Sequence, residues 1–128
     1  MRHLRWLAVI VVLAALPAVA LAQKPANGSQ RHALYRAFVG LEHGQKATPE
    51  RCLVFEVSTA ASGWGNVFFN GAHMPHGCVK YGFNGVTIFH FTRGKWRMVT
   101  EGSSFVGSNG KCSVPHVPMK VARDFKLC

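Results

Sequence analysis

The sequence predicts an α+β fold with a helix near residue 30, an antiparallel meander of about five strands, a short C-terminal helix and two disulfides. Three observations favour this fold. One segment has the apolar spacing of a helix, later apolar segments are separated by turn dipeptides, and the 128-residue chain contains four cysteines. There is no internal repeat and no interdomain linker.

The first 22 residues have the layout of a secretory signal peptide. Two arginines precede the apolar run Trp6 to Leu16, and Ala20-Leu21-Ala22 supplies the small residues that a signal peptidase accepts. An uncleaved anchor is the alternative, but the run is shorter than the roughly 20 residues of a membrane span. We therefore expect residues 1–22 to be removed, residues 23–128 to form one small domain, and the protein to be secreted or periplasmic.

The helix is predicted from apolar residues at positions i, i+3, i+4 and i+7, which lie on one face: Leu34, Ala37, Phe38 and Leu41. Ser29 is a candidate N-cap, and Gly44 is a candidate C-terminal stop. A second, short helix is expected from Pro118, because proline suits the first helical turn.

Strands are predicted between these helices, at residues 52–58, 66–69, 78–83, 86–91 and 96–101. Asn84-Gly85 and Arg93-Gly94 are candidate two-residue hairpin turns. The resulting registers place Phe83 opposite Val86 and Phe91 opposite Trp96.

Both faces of this predicted sheet are apolar. Alternate residues of the last three predicted strands form one face: Val79, Tyr81, Phe83, Val86, Ile88, His90, Arg97 and Val99. The other face consists of Lys80, Phe89, Phe91, Trp96 and Met98. One helix covers one face, so the second must meet the C-terminal helix, a partner chain or a ligand.

The four cysteines, Cys52, Cys78, Cys112 and Cys128, predict two disulfides in an exported chain of this size. Three pairings are open. We favour Cys112 with Cys128, which flank one C-terminal element, and this leaves Cys52 with Cys78. No C-x-x-C motif supports a zinc site.

The chain is strongly basic. Without the two arginines of the leader, thirteen Lys and Arg residues remain against five acidic residues, a net charge of +8. Such a domain is attracted to anionic surfaces, including lipid headgroups, wall polymers and nucleic acid. The alternative is that the charge serves solubility alone.

Aromatic residues near positive charge are candidate binding residues. Lys80, Lys95 and Trp96 are predicted near one end of the sheet, and such platforms bind sugars, peptides or bases. The alternative is core packing. Trp64 lies between two glycines in a predicted loop, where a tryptophan is either exposed or holds the loop in place, and we predict that it contacts a partner.

His90 and Arg97 are candidate catalytic residues of a small ribonuclease. With Glu101 they are expected on one sheet face, where imidazole or carboxylate takes a proton and arginine stabilises phosphorane charge. The roughly 13 Å between Arg97 and Glu101 along a strand argues against this set. No serine-nucleophile motif, carboxylate pair, P-loop or dinucleotide fingerprint occurs.

His73, Met74 and His76 are candidate metal ligands, because imidazole and thioether together suit copper and imidazole alone suits zinc. The alternative is an exposed loop beside Cys78. We expect no bound cofactor.

The C-terminal third contains Lys95-Trp96-Arg97-Met98-Val99, a glycine at 102, Cys112, Val114-Pro115, Val117, Asp124 and Cys128. Residues 86–128 thereby resemble a group of small exported bacterial proteins with a W-R-x-V strand and a C-x-x-P…V-x-x-D…C tail. The resemblance implies a hairpin and a tail helix held by Cys112 and Cys128, and it supplies no catalytic residues.

These features favour a secreted or periplasmic basic binding protein, stabilised by disulfides and without enzymatic activity. Its partner is expected to be an anionic envelope component or an acidic protein, with nucleic acid as a further anionic candidate. The alternatives are a small secreted ribonuclease-like hydrolase and a periplasmic copper- or zinc-binding protein.

Overall fold

The computed structural model describes residues 23–41, 47–69, 71, 73–82 and 84–128. It contains one five-stranded antiparallel sheet, two helices and two disulfides. The predicted signal peptide and the predicted helix stop at Gly44 lie outside these residues. In the described part of the chain, neither helix has the length and hydrophobicity of a membrane span.

The strands form a meander in the order β1-β2-β3-β4-β5, with every neighbouring pair antiparallel. The elements follow one another along the chain as β1 (Lys24–Pro25), α1 (Gly28–Val39), β2 (Val54–Val57), β3 (Trp64–Phe68), β4 (Val86–Thr92), β5 (Lys95–Gly102) and α2 (Met119–Asp124).

The β4–β5 hairpin has the predicted register, with Phe91 opposite Trp96. Its two turn residues, Arg93 and Gly94, have φ angles of 51° and 74°. Two positive φ values are typical of the type I′ turn, whose twist matches that of the flanking strands. The turn dipeptide therefore determined this register locally.

The predicted hairpin at Asn84-Gly85 is wrong. Val79–Tyr81 forms a 3₁₀ turn, and the strand paired with β4 is β3. The Cys52–Cys78 disulfide holds this turn, and Tyr81 packs on the α1 side of the sheet. The fifth strand is instead β1, in a segment that the sequence does not distinguish as a strand.

Helix α1 begins after Asn27, not at the predicted N-cap Ser29. The Asn27 side chain accepts a hydrogen bond from the Gln30 backbone N–H, and the Gln30 side chain accepts one from the Asn27 N–H. This is a capping box, which satisfies two of the unpaired N–H groups of the first turn. The helix ends at Val39, so Leu41 lies beyond it and is exposed.

Each face of the sheet is covered by one helix. Leu34 and Phe38 of α1 pack on one face, in a cluster with Phe55, Val57, Val67 and Phe89. Val121 of α2 packs on the other face, in a cluster with Trp64, Ile88 and Phe125. The C-terminal helix is therefore the element that covers the second apolar face.

The disulfides join Cys52 to Cys78 and Cys112 to Cys128, as predicted, with Cα–Cα distances of 5.4 and 5.5 Å. The first connects the segment before β2 to the 3₁₀ turn, and the second connects the start and end of the C-terminal tail. Each constrains a segment that has little regular secondary structure.

Helix α2 is fixed to the rest of the domain by the Asp124 carboxylate, which is 8% exposed. Its Oδ2 accepts hydrogen bonds from the Ser58 hydroxyl and the Thr59 backbone N–H, at 2.5 and 2.8 Å. Its Oδ1 accepts one from the Gln23 backbone N–H at 2.7 Å. One side chain of α2 thus connects this helix to the residue before β1 and to the β2–β3 turn.

Reducing both disulfides should lower the melting temperature by roughly 10 °C or more. Each bridge contributes about 3 kcal/mol by restricting the unfolded chain, which is a large share of a small domain's stability. The measurement is a thermal melt at pH 7 with and without reductant, with thiol counting to verify reduction. An unchanged melt with four free thiols would contradict this role.

Asp124→Asn should destabilise the protein at neutral pH. Burial alone raises the pKa of Asp124, but hydrogen bonds from the Ser58 hydroxyl and the backbone N–H groups of Gln23, Ala60 and Thr59 lower it below its ordinary value. A lowered folded-state pKa contributes stability above about pH 4, and this stability is lost as the pH falls through the folded value.

The measurement is the denaturation midpoint of both proteins between pH 2 and 7. The difference between the denaturation midpoints of the two proteins should decrease at acidic pH. The exposed carboxylate of Glu101 offers a matched control, since Glu101→Gln should leave the curve almost unchanged. A difference between the midpoints that stays constant across this pH range would contradict the proposed dependence on the Asp124 charge.

Candidate binding groove

A groove lies between helix α1 and the β4–β5 hairpin. It consists of two adjoining depressions of about 420 and 490 Å³, which share Ser29, Ala33, Phe91 and Trp96. We call it the α1–hairpin groove. The remaining lining residues are Lys24, Gln30, His32, Arg36, Ala37, Val57, Ser58, Ser62, Gly63, Gly94 and Lys95.

Small side chains on α1 leave the space for this groove. Ser29, Ala33 and Ala37 are four residues apart, so they lie on one helix face, and all three line the groove. A large residue at these positions would fill the volume between the helix and the hairpin. The groove therefore follows from the composition of α1 as well as from the hairpin.

An aromatic pair forms the sheet side of the groove. Phe91 and Trp96 are cross-strand partners whose ring centroids lie 5.3 Å apart at an interplanar angle of 61°. The Trp96 ring packs against the α1-side core cluster, whereas the Phe91 side chain is 47% exposed. The pair thus presents a supported apolar surface, of the kind that stacks on planar or sugar groups.

Three cations surround the aromatic pair: Lys24 from β1, Arg36 from α1 and Lys95 from β5. The lining contains no Asp or Glu, and none of the three forms an ion pair with a described residue. The nearby Glu50 carboxylate is engaged by Arg31 at 2.7 Å. The local potential is therefore positive and suits an anionic ligand.

The structure brings together two of the four predicted binding residues, Lys95 and Trp96. Lys80 lies in the 3₁₀ turn, where its ammonium is 5.2 Å from the Tyr81 ring centroid, and it does not line the groove. Phe89, which was predicted on the same sheet face as Lys80 and Trp96, is fully buried beneath α1.

The prediction that Trp64 lies in a loop is wrong. Trp64 is the first residue of β3 and is 7% exposed, because α2 covers its face of the sheet. Its indole stacks on the His90 imidazole, with centroids 4.1 Å apart and planes 10° apart. Gly63 and Gly65, which flank Trp64, therefore lie at the start of a strand and not within a loop as predicted.

Sequence reasoning did not single out Lys24 or Arg36. Lys24 lies in a segment without any clear strand pattern, and only its pairing with Val57 places it beside the groove. Arg36 could have been found, since it lies one helical turn after His32 on the face that also carries Ala33.

His90 and Arg97 are cross-strand neighbours, as the hairpin register predicted. Glu101 does not share their face. The register shifts so that Ile88 pairs with Thr100 and Phe89 with Met98, which leaves Val99 as a bulge. Glu101 consequently pairs with Thr87 on the opposite face, so the three predicted groups are not assembled. The catalytic roles of His90 and Arg97 stay a prediction.

His73 and His76 are exposed, whereas Met74 packs against the α1-side core cluster. The His76 carbonyl accepts a hydrogen bond from the Arg51 guanidinium at 2.9 Å. Among the residues that the structure describes, no group of three or more His, Cys, Asp or Glu side chains is arranged to hold a metal ion.

Comparisons with protein-family models, with curated proteins and with solved structures find no match to this chain. The resemblance of residues 86–128 to small exported proteins therefore stays a prediction.

Gly65→Ala should destabilise the domain and displace Trp96 in the groove. An added Cβ would lie 2.8 Å from Leu34 Cδ2 and 3.2 Å from Trp96 Cζ3, and Leu34 is fully buried. Overpacking of this kind costs about 1–3 kcal/mol. Denaturant unfolding followed by tryptophan fluorescence measures both effects.

Gly28→Ala is the matched control, because its added Cβ meets no atom within 4 Å. It should leave stability and fluorescence nearly unchanged. Equal effects of the two substitutions would mean that close packing of α1 on β3 is not the cause.

Proposed function

We propose that the protein is an exported basic binding protein without enzymatic activity, and that the α1–hairpin groove recognises an anionic envelope component or an acidic protein. The observation that carries this proposal is the pair of exposed Phe91 and partly buried Trp96, surrounded by Lys24, Arg36 and Lys95 with no carboxylate in the lining. Export agrees with the leader pattern of residues 1–22 and with two disulfides, which persist in oxidising compartments.

The cations and the aromatic pair of the groove contribute to binding in different ways. The three cations attract the anionic ligand over distances of about a Debye length, roughly 8 Å at physiological ionic strength. The aromatic pair then provides contact area that does not weaken with salt. Affinity should consequently fall as ionic strength rises, and a residual component should remain at high salt.

The ribonuclease-like alternative has less geometric support. His90 and Arg97 are adjacent, but His90 stacks on Trp64 and Glu101 belongs to the other face. The metal-binding alternative has exposed histidines at 73 and 76, with Met74 packed against the core. The groove is the arrangement in which several residues of suitable chemistry converge.

Lys95→Glu should weaken binding to anionic probes by roughly tenfold or more, since a cation near an anionic surface contributes about 1 kcal/mol and the substitution also adds repulsion. The probes are phosphatidylglycerol vesicles and polyglutamate, with phosphatidylcholine vesicles as the neutral reference. Binding is measured by co-sedimentation for vesicles and by fluorescence anisotropy for the peptide, between 50 mM and 500 mM salt.

Lys120→Glu is the matched control, because it makes the same change in net charge on α2, on the other side of the sheet. For the aromatic contribution, Phe91→Ala is compared with Val106→Ala, another exposed apolar side chain. Equal weakening by the two lysine substitutions would replace the groove with net charge as the binding determinant. Binding that does not change with salt would refute the proposal.

A further inference from the structure

Gln23, the residue that follows the predicted cleavage site Ala20-Leu21-Ala22, is held inside the domain. Its backbone nitrogen donates a hydrogen bond to Asp124 Oδ1 at 2.7 Å, and Asp124 is 8% exposed. Gln23 also lines a cavity of about 240 Å³ on the α2 side of the sheet. A cleavage product that starts at this residue would place its new amine directly on a buried carboxylate.

The charged groups around this nitrogen are the carboxylates of Asp124 and Glu56 and the ammonium of Lys126, although the chain as a whole is strongly basic. Glu56 of β2 lines the same cavity and is half-buried. Burial raises the pKa of Glu56, the nearby Lys126 lowers it, and Asp124 raises it further. Before cleavage, the two carboxylates of Asp124 and Glu56 are therefore accompanied by a single ammonium, that of Lys126. Lys24 does not compensate them, since it lines the α1–hairpin groove on the other face.

The same cavity also contains unused hydrogen-bond acceptors. The side-chain oxygens of Gln23 and Asn66 are buried and have no hydrogen-bond partner among the described residues. A peptide nitrogen brings one N–H donor, whereas a terminal ammonium brings three together with a full positive charge.

We propose that cleavage of the Ala22–Gln23 peptide bond creates a partly buried ion pair between the Gln23 α-ammonium and the Asp124 carboxylate, so that removal of the leader completes the fold. A leader peptidase adds water across the bond, which leaves a carboxylate on Ala22 and an amine on Gln23 that takes up a proton near neutral pH. The hydrogen bond thereby becomes charge-assisted, and such bonds are roughly twice as strong as neutral ones.

This inference rests on the export of the protein but is independent of the groove. It also has a definite pH dependence. An α-amine ordinarily has a pKa of about 7.7 to 8. Because Asp124 accepts a hydrogen bond from this nitrogen and Glu56 lines the same cavity, we expect the folded-state pKa of the amine to be raised, with Lys126 acting in the opposite direction. A raised folded-state pKa contributes stability that is fully present below about pH 7.5 and is lost as the pH rises through the folded value.

The test uses protein exported and processed by an oxidising host, with the N-terminus determined by mass spectrometry. It is compared with the same chain carrying one extra alanine directly before Gln23, which keeps the N–H donor but moves the ammonium away. Melting temperatures are measured from pH 6 to 10. The processed protein should be several degrees more stable at pH 6 to 7, and this difference should disappear by about pH 10.

A second measurement compares N-terminal acetylation rates at pH 7 in the folded and unfolded processed protein. The folded protein should react at least tenfold more slowly. Asp124→Asn should remove both the melting difference and this protection. An N-terminus other than Gln23, superimposable melting curves or equal labelling rates would each overturn the proposal. If the melting difference persists in Asp124→Asn, the Asp124 carboxylate is not the partner of the Gln23 ammonium, and the proposed ion pair is overturned.

Discussion

The set of hydrogen bonds to the Asp124 carboxylate is the interaction on which the arrangement of the domain depends. The sheet is apolar on both faces, and α2, which covers one of them, has only six residues. A helix of that length has little stability of its own. Asp124 holds it by accepting hydrogen bonds from two separate segments, one at Gln23 and the other at Ser58 and Thr59. A buried carboxylate that is fully hydrogen-bonded is stable in its ionised form, and losing one donor would leave a costly charge.

The same interaction determines where the groove lies. By holding α2 on the Trp64 and Ile88 face, it leaves the opposite face to α1 alone. Helix α1 approaches β3 closely at Gly65, and its small residues face the end of the hairpin. The core is thus tightly packed on the Leu34 face of α1, and an open groove forms where Ala33 and Ala37 line the same depression as Phe91. The aromatic pair is supported on its inner side and accessible on its outer side.

Local signals predicted the parts of the fold that depend on local interactions. The Arg93-Gly94 turn determined the β4–β5 register, because the turn type alone aligns the two strands. The alternation in residues 78–83 suggested a strand, but a disulfide and the pairing of β3 with β4 outweighed it. The bulge at Val99 has no signature in the sequence, and it moved Glu101 to the other face. In the groove, Lys95 and Trp96 are hairpin neighbours and could be predicted together, whereas Lys24 joins them only through long-range pairing.

The two faces of the sheet also differ in how their charges are neutralised. On the α2 side, the carboxylates of Asp124 and Glu56 lie among backbone donors and Lys126, so negative charge is compensated within the domain. On the α1 side, Lys24, Arg36 and Lys95 line the groove with no carboxylate among its lining residues. The chain has five acidic residues, and one of them, Asp124, is used to hold the C-terminal helix. The positive charge of the groove is therefore left for an external anion, and the anchoring of α2 and the proposed binding function are connected through the same small set of carboxylates.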